Sequence, residues 1–379
     1  MQPRLKSVFR VGVSMVVALA ATARLPAADE AGTAQKADSA RKYEQMVEKA
    51  IGYLATKGQA ADGSYNAAAG PAVTALVTTG ILRHGRSPED PVVAKALNYL
   101  EGFVHEDGGI YAEGNHKNYE TCIAVLCFKE ANRNGKYDAL IKKADAYIKA
   151  TQWGGDGKTT AEDIQFGGAG YGRSGDRPDL SNTSFLVDAL RAAGNDENSE
   201  AMRRALIFVS RCQNLESEHN TTPFAAKLND GGFYYTPAAG GVSQAGNDDA
   251  TGGLRSYASM TYAGLKSMIY AGVKPDDPRV KAALGWLKKN YDLDSNPGMG
   301  AAGLFYYYHT FAKALAAMGE DKFVDEKGVA HDWRAELIDE LASRQRPDGS
   351  WINTENAKWM EGDAALVTGY ALLALSYCK

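Results

Sequence analysis

Asp348-Gly349-Ser350-Trp351 decides the fold: a tight Gly turn, an aromatic, then an Ala-rich apolar run. The same order returns at Asp62-Gly63-Ser64-Tyr65, Asp107-Gly108-Gly109-Ile110-Tyr111 and Gly167-Gly168-Ala169-Gly170-Tyr171. It returns again at Asp230-Gly231-Gly232-Phe233 and Gly303-Leu304-Phe305. Six passes, roughly 45 to 70 residues apart, are the mark of a repeat architecture. Each pass carries an outer and an inner helix, so six hairpins predict an all-α, (α/α)6 toroid around a central cavity.

Two copies match closely. Asp90-Pro91-Val92-Val93-Ala94-Lys95-Ala96-Leu97-Asn98-Tyr99-Leu100 lines up with Asp277-Pro278-Arg279-Val280-Lys281-Ala282-Ala283-Leu284-Gly285-Trp286-Leu287. Both begin with Asp as cap and Pro at the first helical position, where a missing N–H costs nothing. The match runs upstream without a gap: Thr74, Gly85 and Pro88 face Thr261, Gly272 and Pro275. Further outer helices are expected at 42–56, 137–151, 200–212 and 333–343, and further inner helices at 119–130, 183–193, 256–272, 305–318 and 363–377. Sustained period-two alternation is missing outside short turns, which argues against sheet.

The flanks carry separate signals. Arg4, Lys6 and Arg10 precede an apolar run from Val11 to Ala21, followed by small residues at Ala21-Thr22-Ala23 and Pro26-Ala27-Ala28. That pattern reads as an export signal over residues 1–28, with an uncleaved anchor as the alternative. Residues 29–41 are polar and small and read as a flexible lead-in, leaving 42–379 as one toroid domain. The expected location is periplasmic or secreted. Net charge is −4 with both signs interspersed, which gives no footprint for nucleic acid. Cys122, Cys127, Cys212 and Cys378 show no CxxC spacing and are expected as buried thiols, although one or two disulfides fit an exported chain.

The longer pattern Gln345-Arg346-Pro347-Asp348-Gly349-Ser350-Trp351, with a weaker copy at Gln59-Ala60-Ala61-Asp62-Gly63-Ser64-Tyr65, resembles the repeat of squalene–hopene cyclases and protein prenyltransferase β-subunits. It is similar as well to the bacterial prenyltransferase/squalene-oxidase-repeat proteins, which are single toroids. The resemblance spans about Lys42 to Tyr377 and implies a cavity for an isoprenoid or similar apolar molecule. For a cyclase it implies an Asp-rich segment that protonates an alkene. The nearest stretch is Gly246-Asn247-Asp248-Asp249-Ala250-Thr251, which keeps two carboxylates but not the first Asp. For a prenyltransferase it implies zinc held by Asp, Cys and His. His309 falls on the His position, yet the preceding inner helix has neither Asp nor Cys, so no metal and no cofactor are expected.

The candidate catalytic residues are then Asp248, Asp249, His309 and Asp363. Tyr306, His309 and Lys313 share one helix face by their spacing, and His309 is placed to titrate near neutrality. Glu361 and Asp363 open the last inner helix, where capping is the plain alternative. Because each Gly turn feeds an inner helix, all inner N-termini should emerge at one end and favour anionic groups there. Arg255, Tyr257, Tyr308, Tyr119, Tyr171 and Trp351 are the expected ligand-binding residues of an aromatic mouth. Three functions stay open: an exported enzyme or binder of the terpenoid-cyclase type, a non-catalytic envelope scaffold or carrier, and a carbohydrate-active toroid with paired carboxylates. The expected partner is an apolar small molecule or isoprenoid, not nucleic acid, and peripheral membrane contact is compatible with such a ligand.

Overall fold

The computed structural model describes residues 27–114, 116–172 and 177–379. It divides into two compact units, Met1–Asp38 and Ser39–Lys379. In the first, the described residues 27–38 are helical; the expected export signal lies, except for Ala27 and Ala28, outside the described residues. Residues 29–41, expected as a flexible lead-in, are helical throughout.

The second unit alternates outer and inner helices. In chain order they are α1 (Ala27–Tyr53, of which residues 39–53 belong to this unit) and α2 (Pro71–Arg83), α3 (Pro91–Glu101) and α4 (Lys117–Glu130), α5 (Asp138–Thr151) and α6 (Leu180–Ala192). They continue with α7 (Glu200–Arg211), a one-turn α8 (Ala225–Leu228), α9 (Ala258–Tyr270), α10 (Pro278–Lys289), α11 (Leu304–Met318), α12 (Trp333–Arg344) and α13 (Ala364–Leu375). The inner helices α2, α4, α6, α9, α11 and α13 each pack against the next, and α13 packs back against α2, which closes the ring. The expected all-α toroid is what the chain forms. Its one sheet among the described residues is a two-stranded ladder, β1 (Phe323–Val324) against β2 (Ala330–His331), between α11 and α12. All four cysteines are buried free thiols.

Why these residues close a ring is visible in the repeated turn. Five inner helices place a threonine one turn in, and its hydroxyl accepts the backbone N–H of a residue in the Gly turn. The pairs are Tyr65 to Thr74 at 2.9 Å, Ile110 to Thr121 at 3.0 Å, Ala169 to Thr183 at 3.0 Å, Phe233 to Thr261 at 3.1 Å and Trp351 to Thr368 at 3.1 Å. Four turns also carry a glutamine whose amide spans two elements. Gln345 donates to Gly349 O within the turn and to Met46 O of α1, both at 3.0 Å. Gln59, Gln152 and Gln213 make the same bridge to α3, α7 and α10. In the turn after α3, Val104 stands at the glutamine position, so the bridge is missing there.

The turn glycines are obligatory for a geometric reason. Gly349 sits at φ 92° against the next outer helix, where a Cβ would lie 2.3 Å from Lys49 O. An L-side chain is disfavoured at that φ and would collide as well. The sixth turn departs from the rule: Gly303 caps α11 in a left-handed conformation without a threonine or glutamine bridge.

Gly349→Ala should therefore destabilise the ring by about 2 kcal/mol or more. Gly285→Ala, on the exposed face of α10 with open space around it, should stabilise by about 0.5–1 kcal/mol. Thermal melts of the two variants check the contrast, and equal melting temperatures would contradict it.

Candidate functional site

All inner-helix N-termini open at one end, and there the ring encloses a cavity of about 750 Å3. Its walls come from the first two turns of the inner helices: Val73 of α2, Tyr119 and Glu120 of α4, Ser181 and Phe185 of α6. Met260 of α9, Tyr306 of α11 and Tyr370 of α13 complete them. The rings touch edge to face. Tyr119 meets Tyr171 at 5.4 Å and Phe185 at 5.6 Å, and Tyr306 meets Tyr370 at 5.9 Å. At the mouth, Trp359 and Met360 are both in left-handed backbone conformations and 44 % exposed. Trp359 lies over Gly303, where a Cβ would come 3.1 Å from its ring.

One carboxyl belongs to this aromatic space. Glu120, on the first turn of α4, is 4 % exposed. Its Oε2 accepts from Ala112 N at 2.8 Å. Its Oε1 faces Gly70, where a Cβ would sit only 2.4 Å away, and has no hydrogen-bond partner among the described residues. Burial raises its pKa, and the single backbone N–H from Ala112 opposes this without reversing it. Burial thus favours the protonated form of a carboxyl that keeps one oxygen free in an aromatic cavity.

Glu361 also lines the cavity but is occupied. It accepts from Asn353 Nδ2 at 2.7 Å and from Tyr306 N at 2.8 Å, so it caps the start of α11. Burial raises its pKa, opposed by those donors. A third acid is reached through a phenol. Asp179 caps α6 and is 1 % exposed. Desolvation pushes it up to about 6 despite hydrogen bonds from Asn182 and Tyr235, and Tyr235 itself lines the cavity.

Of the residues expected from sequence, Tyr119, Tyr171 and Tyr257 line this cavity. The others do not, for identifiable reasons. Asp248 is an exposed turn cap: its Oδ1 accepts from Ala250 N and from the backbone and hydroxyl of Thr251, and these bonds lower its pKa. Asp249 is fully exposed beside Arg255, with 3.7 Å between their charged groups. Tyr308 is two residues beyond Tyr306, about 200° around the helix, so it faces the outer ring and donates to Leu293 O at 2.7 Å. Trp351 is fully buried between the rings and donates to Leu341 O at 2.8 Å. Asp363 caps α13 through Leu366 N at 2.8 Å and holds Asn66 of the cavity wall at 2.7 Å.

His309 lies on the inward face with Tyr306 and Lys313, as its spacing implied, but below the cavity. Burial and then the Lys313 ammonium drive its pKa well below the ordinary range, so it is neutral and not poised near pH 7. Among the described residues no group of three or more His, Cys, Asp or Glu could hold a metal ion.

Glu120 itself was passed over in the sequence, although a signal for it exists. In register it immediately precedes the bridging threonine, Thr121. The residues before Thr74 and Thr261, Val73 and Met260, face the same cavity. Aligning the threonines puts Val73, Asn182, Met260 and Val367 at the same position, where Glu120 is the one carboxyl.

Comparisons with known proteins agree with this architecture. The family model of the squalene-hopene cyclase C-terminal domain matches residues 65–237. The structure is similar to the type II terpene cyclase MstE from Scytonema, in a variant without ligand, with TM-score 0.54 and 14% identity over 90% of this chain and 98% of that one. A second MstE variant, in complex with its substrate geranylgeranyl dihydroxybenzoate, gives TM-score 0.53 and 15% identity over 90% and 97%. A protein from Actinoplanes gives TM-score 0.50 and 15% identity over 89% and 99%. No curated protein matches. The chain thus has the α/α-toroid fold that MstE also shows.

The raised pKa of Glu120 has a consequence for stability. A carboxyl raised on folding stabilises fully below its unfolded pKa, and that contribution is lost as pH rises through the folded value. The melting temperature of wild type minus that of Glu120→Gln should therefore fall over the pH range that begins at about 4 and ends above the raised folded pKa. A difference that stays flat across that range would contradict a perturbed Glu120.

Proposed function

We propose that the chain is a proton-initiated terpene cyclase acting on a linear isoprenoid. The observation that carries this reading is Glu120, a buried acid with one unpartnered oxygen inside an aromatic cavity of about 750 Å3. That volume suits a small organic ligand. MstE supports the substrate class, since its substrate carries a geranylgeranyl chain. The similarity covers nearly all of MstE, so a single ring of this size is compatible with such chemistry. Fold alone would not assign the activity.

In this scheme Glu120 gives its proton to a terminal alkene, and a tertiary carbocation forms at the adjacent carbon. The π faces of Tyr119, Tyr171, Phe185 and Tyr306 stabilise positive charge as it moves along the chain during ring closure. The last cation loses a proton to the Tyr235 oxygen, whose own proton passes to the Asp179 carboxylate. One proton enters and one leaves, so the product is an isomer of the substrate. The aromatic lining, in place of a wide acid-lined cleft, favours this reading over a carbohydrate-active one. A carrier would hold the same ligand without turnover.

The location remains part of the proposal. The basic start and apolar run of residues 1–28 support export, and the mass of the purified mature chain tests cleavage near Ala23 or Ala28. Among the described residues no helix is long and apolar enough to cross a membrane.

Turnover of linear polyprenyl alcohols and polyprenyl phenols in D2O tests the chemistry. The expected result is a cyclic product with one solvent deuteron per molecule. Glu120→Gln should lower kcat by about 100-fold or more, while Asp248→Asn and Asp249→Asn leave it unchanged. Unaltered turnover in Glu120→Gln, or a product without deuterium, would refute the role of this acid. Bound but unchanged substrate would favour the carrier.

A further inference from the structure

Beneath the cavity floor formed by Phe185 and Tyr306, a second, much smaller cell lies between α6, α9 and α11. Its void leaves about 10 Å3 for the centre of a water-sized particle, which admits one small ion or one water. Asp188 of α6 accepts from Lys266 of α9 at 2.7 Å and, on its other oxygen, from Lys313 of α11 at 2.5 Å. These side chains are only 4 %, 3 % and 8 % exposed. Burial alone would raise the Asp188 pKa, but the two ammoniums outweigh it and hold the group ionised.

Burial lowers the pKa of both lysines, Lys266 to about 8, and the Asp188 carboxylate between them opposes this, so at neutral pH two ammoniums share one carboxylate and one positive charge is left over. Arg83, the next cation, does not alter the balance, because it pairs with Glu130 at 2.7 Å. The hydrogen bonds tell the same story. An ammonium has three donors and no acceptor. Lys266 spends two, on Asp188 and on Ser184 O at 2.9 Å, and Lys313 spends one. The buried Nδ1 of His309, on the wall of the same cell, has no partner. A void ringed by spare donors and excess positive charge lacks an acceptor that is itself negative, and an uncompensated buried charge is costly.

We propose that this cell binds a monovalent anion of about chloride size, held by Lys266, Lys313 and the Nδ1–H tautomer of His309. Water fits the space but brings two further donors and no charge. The site ties three inner helices together and is independent of what the cavity above accepts.

The test uses the full chain at neutral pH, melted in sodium chloride and in sodium gluconate at equal ionic strength. Stabilisation by a bound ion grows with its concentration, so the melting temperature should rise with chloride and not with gluconate. Lys313→Met leaves the neutral pair of Asp188 and Lys266, and its melting temperature should be the same in both salts. Wild-type crystals grown in bromide should show an anomalous peak between Lys266 and Lys313, which decides the matter even where the variant fails to fold. Identical wild-type melts in the two salts, a chloride response that survives Lys313→Met, or the lack of that peak would overturn the proposal and leave water as the occupant.

Discussion

The ring depends on a turn that must touch three helices at once. A left-handed glycine brings the turn against the next outer helix, a threonine hydroxyl on the inner helix takes its N–H, and a glutamine amide bridges to the neighbouring repeat. At residues 345–351 the glutamine reaches Met46 O, almost the whole chain away in sequence, so the motif that builds each repeat also seals the ring. A helix end buried without such partners would leave polar backbone unsatisfied. Where the sixth turn lacks them, the chain substitutes other contacts, among them the Tyr291 hydroxyl donating to Glu336 at 2.7 Å.

Holding every turn at the same end has a functional result. It gathers the first turns of six inner helices around one space, and in three repeats the residue before the bridging threonine faces it. Apolar residues fill that register in α2 and α9, and Glu120 fills it in α4. The lower half of the ring is filled differently, by charged side chains that bind the inner helices to one another and close the cavity from below. Aromatic cavity and structural plug are thus successive layers of the same inward faces, and Tyr306, His309 and Lys313 run from one layer to the other.

This division explains what the sequence could and could not disclose. The repeat, the helix order and most helix ends were legible, because Gly turns, Asp-Pro caps and Ala-rich runs are local signals. The aromatic end of the ring was legible in part: Tyr119, Tyr171 and Tyr257 line the cavity, but Tyr308 and Trp351 face the outer ring. Their directions depend on helix phase relative to the neighbouring layer, which residue type does not reveal. The paired carboxylates Asp248 and Asp249 drew attention by resembling a motif, yet both are exposed, and the acid that matters to this account stands alone at Glu120. The partnership of Asp188, Lys266 and Lys313 joins residues up to 125 positions apart and has no local signature at all.

The most direct test is a crystal structure of the Glu120→Gln variant grown with a linear polyprenyl phenol. The account predicts the isoprenoid chain in the aromatic cavity, its terminal alkene against residue 120 and its length running along Phe185 and Tyr306. An empty cavity at saturating ligand, or a chain whose alkene lies away from residue 120, would contradict it.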